Sequence, residues 1–213
     1  MKELWIVGYR DFGFEVAEAA EAAGFSVPGF IDYDPSEKRQ DSRTFTSRSI
    51  DSMTPAFQER FVCAMTSTLL RQSLVERISS LTQGNSQPEI VIHPRATVSP
   101  SANIADGSIV MANSVLAAGS ELGKFCMVNR GATIGHHTTL GDFCTAGPGV
   151  NIGGTCSLGR NTYVGIGATV LNKIRVGSHC LIGAGAVVTK NVPDHTLVMG
   201  VPAHVVKTDY PGR

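Results

Sequence analysis

Charge is scarce in this chain. Asp, Glu, Lys and Arg make up 17% of the 213 residues, where about 25% is usual. The 18 bases and 18 acids cancel, which speaks against a surface built to wrap a nucleic-acid backbone. No stretch approaches the roughly 18 uninterrupted apolar residues of a membrane span. Residues 4–9 (LWIVGY) are too short for the core of a secretory leader and run straight into Arg10 and Asp11. The five cysteines are an odd number, and none stands in a C-x-x-C or comparable zinc spacing. These absences lead us to expect a reduced, cytoplasmic protein with no metal, no nucleic-acid partner and no membrane insertion.

What the chain has is glycine, unevenly spread. Residues 1–88 hold 5 Gly, 12 acids and 9 bases, whereas residues 89–213 hold 18 Gly, 6 acids and 9 bases. The shift marks two regions of different architecture, with net charges of −3 and +3.

A six-residue period organises the second region. Stepping by six from Ile92 gives Val98, Ile104, Val110, Leu116, Leu122, Val128, Ile134, Leu140, Ala146, Ile152, Leu158, Val164, Val170, Val176, Ile182 and Val188. Only Ala146 is not Ile, Leu or Val, and there is no insertion. Gly often follows the aliphatic residue, and a small residue such as Ser114, Ala132 or Cys144 often stands four places after it. An even period returns to the same strand face at every repeat and does not match the 3.6 of a helix. One large and one small inward side chain per short strand fill a narrow interior, and Gly permits the turn between strands. Stacked at the ordinary interstrand spacing, such strands give a parallel β-helix; three repeats per coil would build a prism roughly 27 Å long. Cys126, Cys144, Cys156 and Cys180 all fall on the small inward position, so packing accounts for them.

This repeat resembles that of the hexapeptide acyltransferases, [LIV]-G-x-x-x-x. The resemblance implies a triangular cross-section, a left-handed winding and a homotrimer with acetyl-CoA lying between neighbouring prisms.

The first region reads as strand and helix in alternation. Residues 3–8 form a buried strand, 8–13 (GYRDFG) a glycine-bounded turn, and 14–24 a helix stopping at Gly24. Strands follow at 26–32 and 60–65, a helix at 67–81, and a fourth strand at 89–92 leading into the prism. Segment 35–58 is polar and reads as loop. Such alternation argues a parallel sheet, with a ligand crevice at the strand C-termini: Gly8 to Gly13, Asp32 to Asp34 and Met65 to Ser67. The fold class is therefore mainly β with a small α/β N-terminal domain. A left-handed parallel β-helix (89–213, binding acetyl-CoA, with a C-terminal tail) is preceded by a small Rossmann-like unit (1–88, binding the acceptor).

A short α/β unit running directly into a hexapeptide prism, with HPRATVSPSA (93–102), IGAGAVVTKNVP (182–193) and GVPA (200–203), resembles the bacterial sugar acetyltransferases of the NeuD/PglD type. That resemblance implies an enzyme of cell-surface polysaccharide biosynthesis that uses acetyl-CoA as co-substrate and a sugar or nucleotide-sugar as acceptor. Acetyl transfer needs a base within reach of the attacking group and donors facing the developing oxyanion. In NRGATIGHHTTLGDF (129–143), His136 matches the catalytic histidine and Asn129 the residue that helps hold the acceptor. Gly154 falls where a backbone N–H faces the thioester carbonyl, and Ile166 and Ala184 match main-chain contacts to CoA. Two positions depart from the family pattern. His137 stands where an acidic residue follows the base, and Thr145 replaces a second histidine. We therefore expect either a weaker base, or a swap in which His137 supports the neutral form of His136 by hydrogen bonding. On the acceptor side the matching positions are Gly8, Phe12, Gly13, Asp32 and Tyr33, with Phe12 in the place of a histidine. His93, His179, His195 and His204 read as structural or surface residues.

The favoured reaction is attack by the amine of a nucleotide-linked 4-amino sugar on acetyl-CoA, with O-acetylation of sialic acid or another sugar hydroxyl as the alternative. Two readings of other classes are a zinc carbonic anhydrase on the same prism, short of a third histidine, and a non-catalytic binding or scaffold protein.

Overall fold

The computed structural model describes residues 1–8, 11–32 and 45–213. Its N-terminal part is a parallel sheet. Strands β1 (Lys2–Val7), β2 (Phe25–Ser26), β3 (Gly29–Asp32), β4 (Thr46–Ser49), β5 (Arg60–Cys63) and β6 (Gln87–Pro88) are joined in the order β4-β3-β1-β5-β6, with β2 also pairing β1. Helix α1 (Asp11–Ala22) packs Val16, Ala17 and Ala20 on one face of the sheet, against Leu4, Ile6, Phe30 and Val62. Helix α2 (Thr68–Leu81) packs Leu74 and Ile78 on the other, against Trp5, Val7, Ile31, Phe61 and Cys63. Alternate residues of β1 thus face opposite helices, as the two-residue strand period requires.

Several local expectations shift. The helix begins at Asp11, so Phe12 and Gly13 lie in its first turn, within what the sequence reads as a turn. Gly8, at φ 103°, ends the strand. A Cβ on Gly13 would stand 2.1 Å from the Gly8 carbonyl oxygen, so only glycine lets helix and strand end meet so closely. The 26–32 strand is two strands, separated at Val27 and Pro28. The 89–92 strand shortens to Val91–Ile92, which opens the prism, and a separate strand before it, Gln87–Pro88, joins the small sheet. Within the expected loop, Thr46–Ser49 pairs with β3 as an edge strand, and a 3-10 turn at Ile50–Ser52 follows, anchored by the buried Ile50.

From Val91 onward two-residue strands recur every six residues and stack with partners 18 residues apart, as in Ile134 on Leu116 and Ile152. Three parallel sheets result. The first face runs from Val91–Ile92 through Met127–Val128 and Thr145–Ala146 to Leu197–Met199 and the antiparallel His204–Lys207. The second includes Thr133–Ile134 and Asn151–Ile152, and the third Thr139–Leu140. Each residue of the aliphatic column from Val110 to Val188 is buried. The exceptional Ala146 is compensated by Val150, an aliphatic residue at the small position; both are fully buried. Interior volume is thereby conserved.

The role of glycine differs from expectation. The left-handed turn residue lies three places after the aliphatic one, at Asn113, Gly119, Phe125, Gly131, His137 and onward every six residues to Gly185. The glycines directly after the aliphatic residues serve close approach instead. A Cβ on Gly135 would sit 2.5 Å from backbone atoms of the next coil.

The α/β unit covers the upper part of the first face. There the outward residues Val91, Ile109 and Met127 are apolar and join the core of α1 and the sheet, whereas elsewhere outward positions such as Thr97, Glu121, Thr139 and Arg175 are polar. Phe125 and Phe143, stacked 5.4 Å apart at 6°, fill the gap between the third edge and α2. All five cysteines are free and buried. No helix among the described residues is long and apolar enough to cross a membrane.

Candidate active site

The prism has three edges where the chain turns between faces, and the residues singled out from the sequence divide between two of them. Asn129, Ile166 and Ala184 lie on the first edge, after strands of the first face. His136, His137 and Gly154 lie on the second edge, after strands of the second face. Asn129 and His136 therefore stand at opposite ends of the strand Thr133–Ile134 rather than side by side.

His136 and His137 occupy the exposed turn that follows this strand. His137 takes the left-handed conformation, φ 54°. Its backbone thus departs from the strand geometry that would send adjacent side chains to opposite faces. The two rings meet edge to face at 79°, with Nδ1 to Nδ1 at 3.2 Å. One ring must donate there and the other accept. A third histidine for a zinc site is missing: among the described residues no three His, Cys, Asp or Glu side chains converge to hold a metal ion.

Each imidazole lies over a glycine of a neighbouring coil. A Cβ on Gly119 would stand 3.0 Å from His137 Cδ2, and one on Gly154 only 2.4 Å from His136 Nε2. Gly154 is thus brought to His136. Its N–H, expected to face a thioester carbonyl, instead donates to Asn172 Oδ1 at 2.8 Å. Asn172, one coil below Gly154, is a site neighbour that the motif did not name; its place 36 residues, two 18-residue coils, after His136 is the signal that could have found it.

On the first edge Asn129 is buried, and its Oδ1 accepts the Arg130 N–H at 2.7 Å. Arg130 reaches α1 through an ion pair with Glu15 at 2.6 Å. Below it Ile166, 57% exposed, and the exposed Ala184 lie one coil apart.

On the acceptor side, Gly8 and Asp32 border a crevice at the strand ends together with Val7, Ile31, Ile50, Met65 and Leu74. Its volume is about 20 Å³, room for about one water, because the Met65 thioether reaches in: a Cβ on Gly8 would be 2.8 Å from Met65 Sδ. Phe12 is packed against the core around α1 rather than lining this crevice, since the early helix start turns it inward. Gly13 serves helix packing, as above. Tyr33 lies outside the described residues. A wider hollow of about 220 Å³ opens beside Ile31, between Arg48, Ser52, Met53, Thr54, Phe57 and Glu59. The sequence reading missed it because segment 35–58, which supplies most of its lining, reads as loop. Thr145, in the second histidine's place, is buried and unable to face a ligand.

Comparison with known proteins bears on the family and the fold. The family model for the bacterial transferase hexapeptide, six repeats, matches residues 155–190. No curated protein matches the sequence. Among solved structures, the acetyltransferase domain of PglB from Neisseria gonorrhoeae, in complex with acetyl coenzyme A, is 32% identical with a TM-score of 0.85, covering 96% of this chain and 99% of that one. A perosamine N-acetyltransferase from Caulobacter crescentus, a histidine variant in complex with CoA and GDP-perosamine, is 28% identical over 97% of this chain and 98% of that one, with a TM-score of 0.86. WeeI from Acinetobacter baumannii, at 23% identity and a TM-score of 0.83, shares the fold. The unbroken hexapeptide prism, the α/β unit on its first face and this end-to-end similarity establish that the chain belongs to the hexapeptide-repeat sugar acetyltransferases.

Proposed function

We propose that the protein transfers the acetyl group of acetyl-CoA to the amine of a nucleotide-linked 4-amino sugar, with His136 as general base. The Nδ1 contact between His136 and His137 carries this reading. With the shared proton on His136 Nδ1, His136 Nε2 keeps a free lone pair for the substrate, and His137 accepts through its own Nδ1. The amine nitrogen attacks the thioester carbonyl, and His136 Nε2 takes the proton that the nitrogen sheds. The C–N bond forms, the C–S bond breaks, and the proton passes to the departing thiolate.

The division of the site over two edges supports a homotrimer. Asn129, Ile166 and Ala184 on one edge can join His136 and Gly154 only if a second copy lays its second edge against the first. Acetyl-CoA would lie along that cleft with Ile166 and Ala184 beside its pantetheine arm, and Asn129 would hold the acceptor. Stacked over His136, Gly154 serves as the floor of the base, because its N–H is already engaged. The crevice at Gly8, Asp32 and Met65 would receive the nucleotide once the flexible Met65 side chain moves. We assign residues 1–88 to the acceptor and residues 89–213 to acetyl-CoA, in a cytoplasmic enzyme of cell-surface polysaccharide synthesis. The relatives crystallised with GDP-perosamine favour an amine over a hydroxyl acceptor.

The test is to supply acetyl-CoA with GDP-, UDP- and dTDP-linked 4-amino sugars and follow the release of free thiol. Turnover with at least one of them, lost in His136→Ala, is expected. Full activity of His136→Ala would remove His136 from this role, and silence with every amine while sialic acid is acetylated would favour the hydroxyl.

A further inference from the structure

Helix α2 sends one charged residue into the interior. Arg71 is 1% exposed. Its Nε donates to the Phe125 carbonyl at 2.9 Å, and Nη1 donates to the Met65 carbonyl. Nη2 meets the Phe143 carbonyl at 2.7 Å, the Cys144 carbonyl at 3.2 Å and Thr145 Oγ1 at 2.8 Å. None of these partners is a carboxylate. Thr145 Oγ1 in turn donates to the Thr66 carbonyl at 3.3 Å.

A buried guanidinium is a costly way to fill space. A methionine or leucine would occupy the volume without taking a charge out of water. What the guanidinium adds is a planar fork that holds several acceptors at fixed positions relative to one another. Those acceptors belong to two bodies. Met65 follows β5 at the crevice, next to the Thr66 that Thr145 bonds, while Phe125, Phe143, Cys144 and Thr145 lie where successive coils turn from the third face onto the first. The apolar contact of Val91, Ile109 and Met127 holds the bodies together without direction. The Arg130–Glu15 pair on the opposite edge has side chains 54% and 44% exposed and, in water, contributes only about 0–1 kcal/mol. One coil down, Asn161 Nδ2 donates to Gln72 Oε1 at 2.6 Å, a neutral contact on the same side as Arg71.

We infer that Arg71 is a positioning residue for acetyl transfer: it fixes the end of β5 over the prism, and with it the reach from the acceptor crevice to the transfer site. The inference rests on the acceptor role proposed for the α/β unit. Arg71 is too deeply buried to touch either substrate, and its contacts avoid the two edges assigned to acetyl-CoA and His136. Losing the fork should therefore weaken the acceptor side alone.

The experiment compares the full chain with Arg71→Lys and Arg71→Met, using GDP-, UDP- and dTDP-linked 4-amino sugars as acceptors. In Arg71→Lys, KM for the acceptor that the unmodified protein uses should rise about tenfold, with KM for acetyl-CoA within about twofold. Amide hydrogen exchange should quicken at residues 64–68 and stay unchanged at 151–190. An acceptor KM equal to that of the parent, or unaltered exchange at 64–68, overturns the inference. So does a parallel rise of both KM values with faster exchange throughout the chain, which would make Arg71 a folding residue only. If the parent protein acetylates none of these sugars, the proposed function fails, and exchange at 64–68 still decides whether Arg71 fixes the strand end.

Discussion

The Nδ1 atoms of His136 and His137 lie 3.2 Å apart, close enough to share one proton. A carboxylate in the second position would favour a charged imidazole beside it. A neutral imidazole there would instead accept through Nδ1 and so set which nitrogen of its partner carries the proton. The departure of this chain from the acidic pattern thus has a chemical counterpart in the ring geometry.

That contact separates two substitutions. His136→Ala should lower kcat by about 10²–10⁴-fold, as loss of a general base does. His137→Ala should lower kcat about tenfold, the worth of one hydrogen bond. His137→Asn, whose amide oxygen can still accept from His136 Nδ1, should recover most of that loss. Steady-state rates at saturating acetyl-CoA give the comparison, and an inactive Asn variant would deny His137 the accepting role.

Gly154→Ala tests the floor beneath the base. The new Cβ would lie 2.4 Å from His136 Nε2, at the far end of a side chain free to swing away. The fold should survive, with a melting temperature within a few degrees of the parent. Turnover should fall by about 10²-fold because the base is displaced by an ångström or more.

Ala146 and Val150 exchange the large and small roles within one repeat. Ala146→Val should overpack the prism and cost about 1–3 kcal/mol. Val150→Ala opens a cavity and should cost about 1–3 kcal/mol. The double variant restores the ordinary order of the repeat and should lose less than the two single costs combined. Denaturant midpoints of the four proteins measure this coupling.

The buried thiols set an alkaline limit on stability. Desolvation pushes Cys63 and Cys126 up to about 12 from an ordinary 9.0, only partly offset by the nearby Arg71. Below pH 9 these thiols are protonated in folded and unfolded chains alike, and their contribution is intact. Above it the unfolded chain ionises while the folded one keeps its protons, so stability declines from pH 9 toward 12. Denaturation curves across that range should show the decline, and Cys63→Ala should reduce its slope. A thiol reagent at pH 8 should leave all five cysteines unmodified until the protein unfolds.

Sequence alone determined the prism. Its interior admits one large and one small side chain per short strand, so the constraint recurs every six residues and is written openly in the chain. The same arithmetic accounted for four of the five cysteines. The outward apolar residues Val91, Ile109 and Met127 also carried a legible sign of a covered face. Tertiary structure alone decided matters that depend on atoms distant in sequence. It turned Phe12 into the core and filled the crevice with Met65. Arg71 belongs with these: its partners on the prism lie 54 to 74 residues away, and no local period could announce them. A repeating contact leaves a repeating trace in sequence, whereas a contact made once, between segments brought together only by folding, leaves none.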